Sequence, residues 1–526
     1  MADTRDNSAQ DPPERAAGPP PQRRGGDAAV LWLLAAYFAA MAVQLAVFTP
    51  GGRTDDSEAL FLAQSFAWGY EGKNPPLFYW LTTLLMQAAG PWPAVIFGLR
   101  MGLLFLMLWG SIALARRVQP EPALALAAGL SPLAFLQLHW YAISDLTHTV
   151  ITGALFPWTL VALIALDERP TTLRYLALGA CLGLGLLAKY TFLLFAIALL
   201  IAVLQRPRLR RLLQAPRAIL AFAVPVALGL PHGSWMLQHL GGIARQMDRS
   251  LGLEVGGSYA EGLVQGLLAL LGSAGTVLAF PFGLLVLAFL RQGLRSAPPT
   301  DSPRADHLAV TRDVLVMLFL TLLAYVFAGA SRIEPHHLFF LVLLPPWLIG
   351  RMDAGAVPAA RVRGYVAVVA AITVGSLLLF GPRAWNKARK IECGRCSELL
   401  PYADYAAALQ AAGFRGGTLV SLSSRRYLPG ALLRPHLPGT RLVSPEFVLY
   451  DPPGRGSGGD CAVLLSALDE NTLGASLRAG EPVPGIGLPL PEEARWIRAG
   501  GRFHLSDRAA PDALFVLIPG GLGACR

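Results

Sequence analysis

Tyr175 to Leu204 reads YLALGACLGLGLLAKYTFLLFAIALLIAVL, an apolar stretch in which Lys189 is the sole charged side chain. Read as one membrane crossing, it buries an ammonium near the bilayer centre, at roughly 2.5–3.5 kcal/mol on insertion scales. Read as two short helices turning at Lys189, it places the lysine at a membrane surface and returns the chain to the side it came from. Everything downstream inverts with that choice, and the arginines decide it. With the hairpin, Arg116/Arg117, Arg169/Arg174, Arg206 to Arg217, Arg291/Arg295/Arg304 and Arg351/Arg361/Arg363 all fall on one side, where the positive-inside rule puts cytoplasmic loops.

Apolar runs continue in both directions from this hairpin, at Ala94 to Ala115, Ala123 to Tyr141, Thr149 to Ala165, Ala218 to Trp235, Leu263 to Leu290, Val314 to Ala330, Leu338 to Gly350 and Tyr365 to Phe380. Ala28 to Phe48, preceded by Arg23 and Arg24, is long enough to span and reads as a retained signal anchor. The expectation is an α-helical polytopic membrane protein with about eleven spans, an odd number that leaves the C-terminus outside. Composition agrees: 54% of residues are hydrophobic and only 15% charged, against about 25% charged in soluble domains. The net charge of +10 therefore reports topology, and no nucleic-acid partner is expected.

Residues 1–27 read as a disordered cytoplasmic tail, residues 28–380 as the membrane domain with an outer loop at 49–93, and residues 381–526 as a small soluble α/β domain. In the last, Tyr402 to Ala412 has a helical pattern, and Thr418 to Leu422, Ala462 to Leu465 and Ala513 to Ile518 read as short buried strands. Four of the five cysteines, Cys393, Cys396, Cys461 and Cys525, fall there, whereas Cys181 lies in an apolar run. The bias fits an oxidising compartment and structural disulfides, with three connectivities open.

The outer loop carries the chemistry-bearing residues. Asp55, Asp56 and Glu58 stand just beyond a spanning helix, and Leu60, Phe61, Ala67 and Trp68 give the following segment an apolar face suited to the interface plane. One reading makes Asp55 the N-cap and Glu58 its capping-box partner; it leaves Asp56 over, and it is compatible with catalysis. A second outward turn, His139 to His148, offers Asp145, read either as an N-cap for the next helix or as a further carboxylate of the site. Other outward groups are His232, Arg245, Arg249 and the run Arg332 to His337. Arg100 lies near the outer end of a predicted span, where it either snorkels or serves a site.

The Asp55-Asp56-Ser57-Glu58 loop, its Trp68-Gly69-Tyr70 and Asn74-Pro75-Pro76-Leu77 continuation, the His139 to His148 turn, Gly183 to Tyr190 and Pro231-His232 together resemble the bacterial branch of the GT-C glycosyltransferases. That branch is related to the dolichyl-phosphate-mannose protein mannosyltransferases and the aminoarabinose lipid A transferases. The resemblance runs through about Gly350. It implies a catalytic base at Asp55 or Asp56, a site-shaping acid at Asp145 and a donor-phosphate contact at Lys73. Glu58, Glu71, Arg100, Lys189, His232 and Arg332 complete the candidate substrate-binding set. The spacing around Glu71-Gly72-Lys73-Asn74-Pro75 departs from the aminoarabinose transferases, so their substrate does not carry over.

A sugar-1-phosphoryl lipid donor leaves as a lipid phosphate whose growing charge needs a cation, while the acceptor hydroxyl must lose its proton to a carboxylate. The expected partners are therefore the membrane, a polyprenyl-phosphate-sugar donor of the undecaprenyl type and an envelope lipid, glycan or protein acceptor at the outer face of a bacterial inner membrane, with the C-terminal domain periplasmic. No cofactor is required; a divalent metal, with Asp145 and His232 as candidate ligands, is the one the residues allow. Inverting and retaining courses both stay open. The rival from another class is a transporter or flippase of polyprenyl-linked sugars, which would place its ionisable groups near the midplane in repeated halves.

Overall fold

The computed structural model describes residues 25–244, 258–289, 302–353, 355, 357–390, 396–422, 428–454, 459–465, 473–484 and 486–520. The expected tail as far as residue 24, together with Arg245, Arg249, Arg291, Arg295, Cys393 and Cys525, lies outside them. The chain is a helical bundle followed by a five-stranded sheet.

The first helix, α1 (Gly25–Phe48), runs against α4 (Pro93–Val118); Asp27 in the first turn of α1 pairs with Arg116 in the last turn of α4, so the two are antiparallel. α5 (Pro122–Leu130), α6 (His148–Glu168), α7 (Thr172–Ala188) and α8 (Phe192–Leu204) follow. The predicted break falls at Lys189, whose backbone is extended (φ −159°, ψ 137°). Two contacts show that the chain turns back there. Tyr175 at the start of α7 donates to the Leu212 carbonyl beyond α8 at 2.8 Å, and Arg208 pairs with Asp167 at the end of α6 at 2.8 Å. At the other end, Lys189 Nζ donates to Thr149 Oγ1 at 2.8 Å. Gly179 and Gly183 let α7 approach α10 (Ile219–Gln238) closely: a Cβ at Gly179 would stand 2.8 Å from the Leu220 carbonyl oxygen. Small residues four apart are how membrane helices achieve such contact.

One end of the bundle collects the basic clusters. Arg117 lies 3.8 Å from Glu168, Arg206 pairs with Asp313 at 2.6 Å, and Arg304 donates to the Val118 and Gly350 carbonyls. The outer-loop acids occupy the opposite end. Among the described residues, seven helices are long and apolar enough to cross a membrane, or eight with the bent pair α8 and α9 (Pro207–Gln214). Pro122–Ala134, Thr172–Ala188 and Pro335–Gly350 are apolar but shorter, so the expected count of about eleven stands at seven to eight by length and composition.

The outer loop folds into two helices, α2 (Thr54–Leu62) and α3 (Leu77–Ala89). α2 begins two residues earlier than the capping pattern suggested. Its N-cap is Arg53, whose N–H donates to Asp56 Oδ2 at 2.8 Å, so Asp56 does the work expected of Glu58. Gly52 makes the turn into it at φ +64°, where a Cβ would also stand 2.8 Å from that of Asp56. The other oxygen of Asp56 accepts from Arg100 Nη1 at 2.5 Å, with both side chains 0% exposed. Arg100 thus neither snorkels nor faces a substrate: it fastens α2 to α4, because burial leaves a carboxylate and a guanidinium no better partner than each other.

The apolar face of α2 does not lie in the interface plane. Leu60 and Phe61 are fully buried beneath the C-terminal part of the chain, with the Phe61 ring 5.2 Å from Phe447 and 6.3 Å from Tyr450. Arg434 Nη1 donates to the Leu60 carbonyl at 2.9 Å and to that of Ala63 at 3.3 Å, satisfying oxygens that a helix end leaves open. Gln64 pairs with both backbone groups of Leu442, accepting at 2.8 Å and donating at 3.0 Å.

Leu442 belongs to a sheet of order β2-β1-β3-β5-β4, built from β1 (Gly417–Ser421), β2 (Arg441–Val443), β3 (Asp460–Leu465), β4 (Arg495–Ala499) and β5 (Ala513–Ile518). β1 is parallel to β2 and β3, while β5 is antiparallel to β3 and β4. The three strands with apolar patterns are the central ones; the two the sequence hid are the edges, one only three residues long and the other carrying Arg495 and Arg498. Cys396 and Cys461 each take part in a disulfide, and among the described residues Cys181 is a free thiol.

Removing one member of a buried ion pair strands the other. Arg100→Met should therefore cost about 3–5 kcal/mol of stability, and the Arg100→Met/Asp56→Leu double variant should recover most of it. Thermal or denaturant unfolding of the detergent-solubilised proteins measures both; equal stability of all three would show that the pair does not hold α2.

Candidate active site

Asp55, one residue before the anchored Asp56, points elsewhere because successive helix residues are about 100° apart. Its N–H donates to Asp145 Oδ1 at 3.2 Å, and its Oδ2 accepts from Thr147 Oγ1 at 3.2 Å. Asp145 therefore caps α2 from another segment, not the helix that follows it, whose N-cap is Thr147. The turn bearing Asp145 leaves a π-helical segment, Leu138–Ala142, an expansion of helix often found where a side chain must be re-aimed. Asp55 is half-buried and forms no ion pair among the described residues. Burial pushes its carboxyl up to about 7, Asp145 and Glu58 adding to the rise while Lys73 and Thr147 oppose it.

Beside it lies a second cluster. Glu58 is buried with both oxygens engaged, one by Lys73 Nζ at 3.1 Å and the other by the Tyr79 hydroxyl at 2.8 Å. Burial would raise the Glu58 carboxyl, but Lys73 and Tyr79 prevail and it is lowered. Glu71 is also buried. Burial and the neighbouring Glu58 charge push it up to about 8, and its Oε1 receives longer bonds from Tyr79 at 3.4 Å and Asn74 at 3.5 Å. Lys73 sits among these acids; burial opposes its charge, yet Glu58, Glu71 and Asp55 together hold its ammonium well above the usual lysine range. Lys189 approaches from the hairpin turn, brought down to about 8 by burial against the field of Asp55. A carboxylate able to take a proton near neutrality thus stands within the fields of two lysines.

The remaining candidates do not join this group in the expected way. Both ring nitrogens of His232 are occupied, Nδ1 by the Trp68 carbonyl at 2.7 Å and Nε2 by the Tyr190 hydroxyl at 3.2 Å, so it tethers the outer loop. Asp145 and His232 do not come together as metal ligands, and among the described residues no group of three His, Cys, Asp or Glu is placed to hold a metal ion. Arg332 is exposed on the segment between Phe327 and Pro335. Three contributors carried no signal of their own in the sequence: Tyr79, embedded in an apolar run; Thr147; and His148, whose Nδ1 donates to the Ala188 carbonyl at 3.1 Å and whose ring packs 4.7 Å from that of Tyr79.

The sequence profile of the dolichyl-phosphate-mannose-protein mannosyltransferase family matches residues 73–235, which include Lys73, Asp145, Lys189 and His232. The lipopolysaccharide core galacturonosyltransferase RgtB of Rhizobium johnstonii is 30% identical over 351 residues, 65% of this chain and 69% of that one. RgtA of the same organism is 29% identical over 358 residues, 67% and 70% of the two chains. The fold is similar to the crystal structure of ArnT from Cupriavidus metallidurans bound to undecaprenyl phosphate, with a TM-score of 0.60 at 13% identity over 94% of this chain and 98% of that one. Its apo form gives 0.56. With a multi-pass bundle, a ring of outer-loop acids and lysines, and these relatives, the chain belongs to the bacterial GT-C glycosyltransferases and is a membrane glycosyltransferase.

Proposed function

We propose that this enzyme moves a sugar from a polyprenyl-phosphate carrier to an envelope glycan or glycolipid at the non-cytoplasmic face of a bacterial inner membrane, with residues 28–380 as the catalytic membrane domain and 381–526 periplasmic. The observation that carries the reading is Asp55: a carboxylate without an ion pair, raised to about 7, beside Lys73 and Lys189. Asp55 accepts the proton of the acceptor hydroxyl as its oxygen bonds to the sugar C1. The bond from C1 to the phosphate oxygen breaks, and the carrier leaves as a lipid phosphate whose charge Lys73 and Lys189 neutralise. Undecaprenyl phosphate in the structurally similar ArnT and the lipopolysaccharide core named for RgtA and RgtB support the donor and acceptor classes. The basic clusters at the far end support the orientation. The acids and lysines of the site gather at one end of the bundle and not its middle, which does not favour a transport pathway.

Asp55→Asn should lower turnover by about 10²–10⁴-fold, the usual contribution of a general base, with little change in donor KM. Lys73→Met should instead raise the donor KM. Transfer from a radiolabelled polyprenyl-phosphate sugar checks both, and full turnover in Asp55→Asn removes the proposed base.

A base works deprotonated, so kcat/KM should rise with pH through an inflection near pH 7, the value to which Asp55 is raised. Asp145→Asn keeps an oxygen for the Asp55 N–H but deletes a like charge, so the Asp55 pKa falls and the inflection moves to lower pH. An unmoved profile would mean that another group sets it.

A further inference from the structure

A separate cavity of about 60 Å³, partly open to solvent, lies on the Asp56 side of α2. None of Asp55, Glu58, Glu71, Lys73 or Lys189 lines it. Its apolar wall comes from the outer ends of three spanning helices, with Leu45 on α1, Phe97 on α4 and Phe380 on the helix Ala359–Lys390. Its polar wall carries Arg53, Arg383 and Lys387 against Asp56 and Glu398.

The charges do not cancel. Glu398 is taken by Lys387 and Asp56 by Arg100. Arg53 reaches only the Ser144 hydroxyl, at 3.3 Å, and Arg383 lies 6.0 Å from the Trp140 ring centre; neither pairs with a carboxylate among the described residues. Two guanidiniums without an ion pair, Arg53 in the field of Asp145 and Arg383 against Trp140, over an apolar floor at the membrane end of a bundle suit one kind of ligand: a phosphate or carboxylate on an amphiphile whose chains follow the helices.

We propose that this cavity binds the anionic headgroup of the acceptor glycolipid. The proposal rests on the reading of Asp55 as base and Lys73 as donor-phosphate contact. If the donor phosphate sits at Lys73, a second anion site across α2 serves the other substrate, and Ser144, next to Asp145, leads from it toward Asp55.

Binding to the full-length, detergent-solubilised protein tests this without turnover. The probes are rough-type lipopolysaccharide, the same material after chemical dephosphorylation, undecaprenyl phosphate and phosphatidylglycerol. The variants are Arg53→Gln/Arg383→Gln, Arg383→Lys and Lys73→Met, each checked for an unchanged melting temperature. The double variant should bind lipopolysaccharide at least tenfold more weakly and undecaprenyl phosphate within twofold of the parent. Arg383→Lys should keep most of the affinity, and dephosphorylation should reduce binding in the parent more than in the double variant. Selective loss of undecaprenyl phosphate in the double variant would assign the cavity to the carrier. Equal competition by phosphatidylglycerol would make it a bulk-lipid site, and unchanged lipopolysaccharide binding would remove the proposal. Lys73→Met reports separately: if undecaprenyl phosphate binding survives it, the donor placement fails while the cavity result stands.

Discussion

The buried contact between Arg100 and Asp56 is the constraint from which the outer half of the structure follows. A guanidinium and a carboxylate out of reach of water are each expensive alone, so α2 can sit on α4 in only one rotation. That rotation directs Asp55 toward Asp145 and Thr147, and it carries Glu58 to Lys73 and Tyr79. Adjacent acids in the same helix thereby acquire different work: one is fastened at both oxygens, the other holds a hydroxyl and keeps its basicity.

Burial then sets the electrostatics. The C-terminal part covers α2 through Phe447, Tyr450 and Arg434, so the acids do not face open water. Screening inside is weak, and the carboxyls divide: Glu58, which wins the lysine, is lowered, while Glu71 and Asp55 rise. The C-terminal part thus shapes the chemistry of the helical bundle, although it supplies none of the titrating groups.

Much of this was legible in the sequence where a single energetic term dominated. Lysine desolvation marked the turn at Lys189, arginine asymmetry marked one end of the bundle, and apolar runs marked β1, β3 and β5. The family-like motifs brought Asp55, Asp145, Lys73 and Lys189 to one place. What the sequence withheld depended on contacts between distant segments. Which of Asp55 and Asp56 would be anchored turned on a partner 44 residues away; Asp145 caps a helix 90 residues before it; and His232, a plausible ligand by type, has both nitrogens spent on the loop and Tyr190. Tyr79 bridges two acids from within an apolar helix, and nothing local distinguishes it from a core aromatic.

The amide of Gln64 meets the backbone of Leu442 as a neighbouring strand would, along the outer margin of the sheet. An unpaired sheet margin recruits other chains, and here a side chain from the membrane half occupies it. Severed from its bundle, the polar half would present that margin bare, together with the aromatic underside that rests on Phe61. It is therefore a fitted cover and not a detachable module, and its solubility in isolation should be poor.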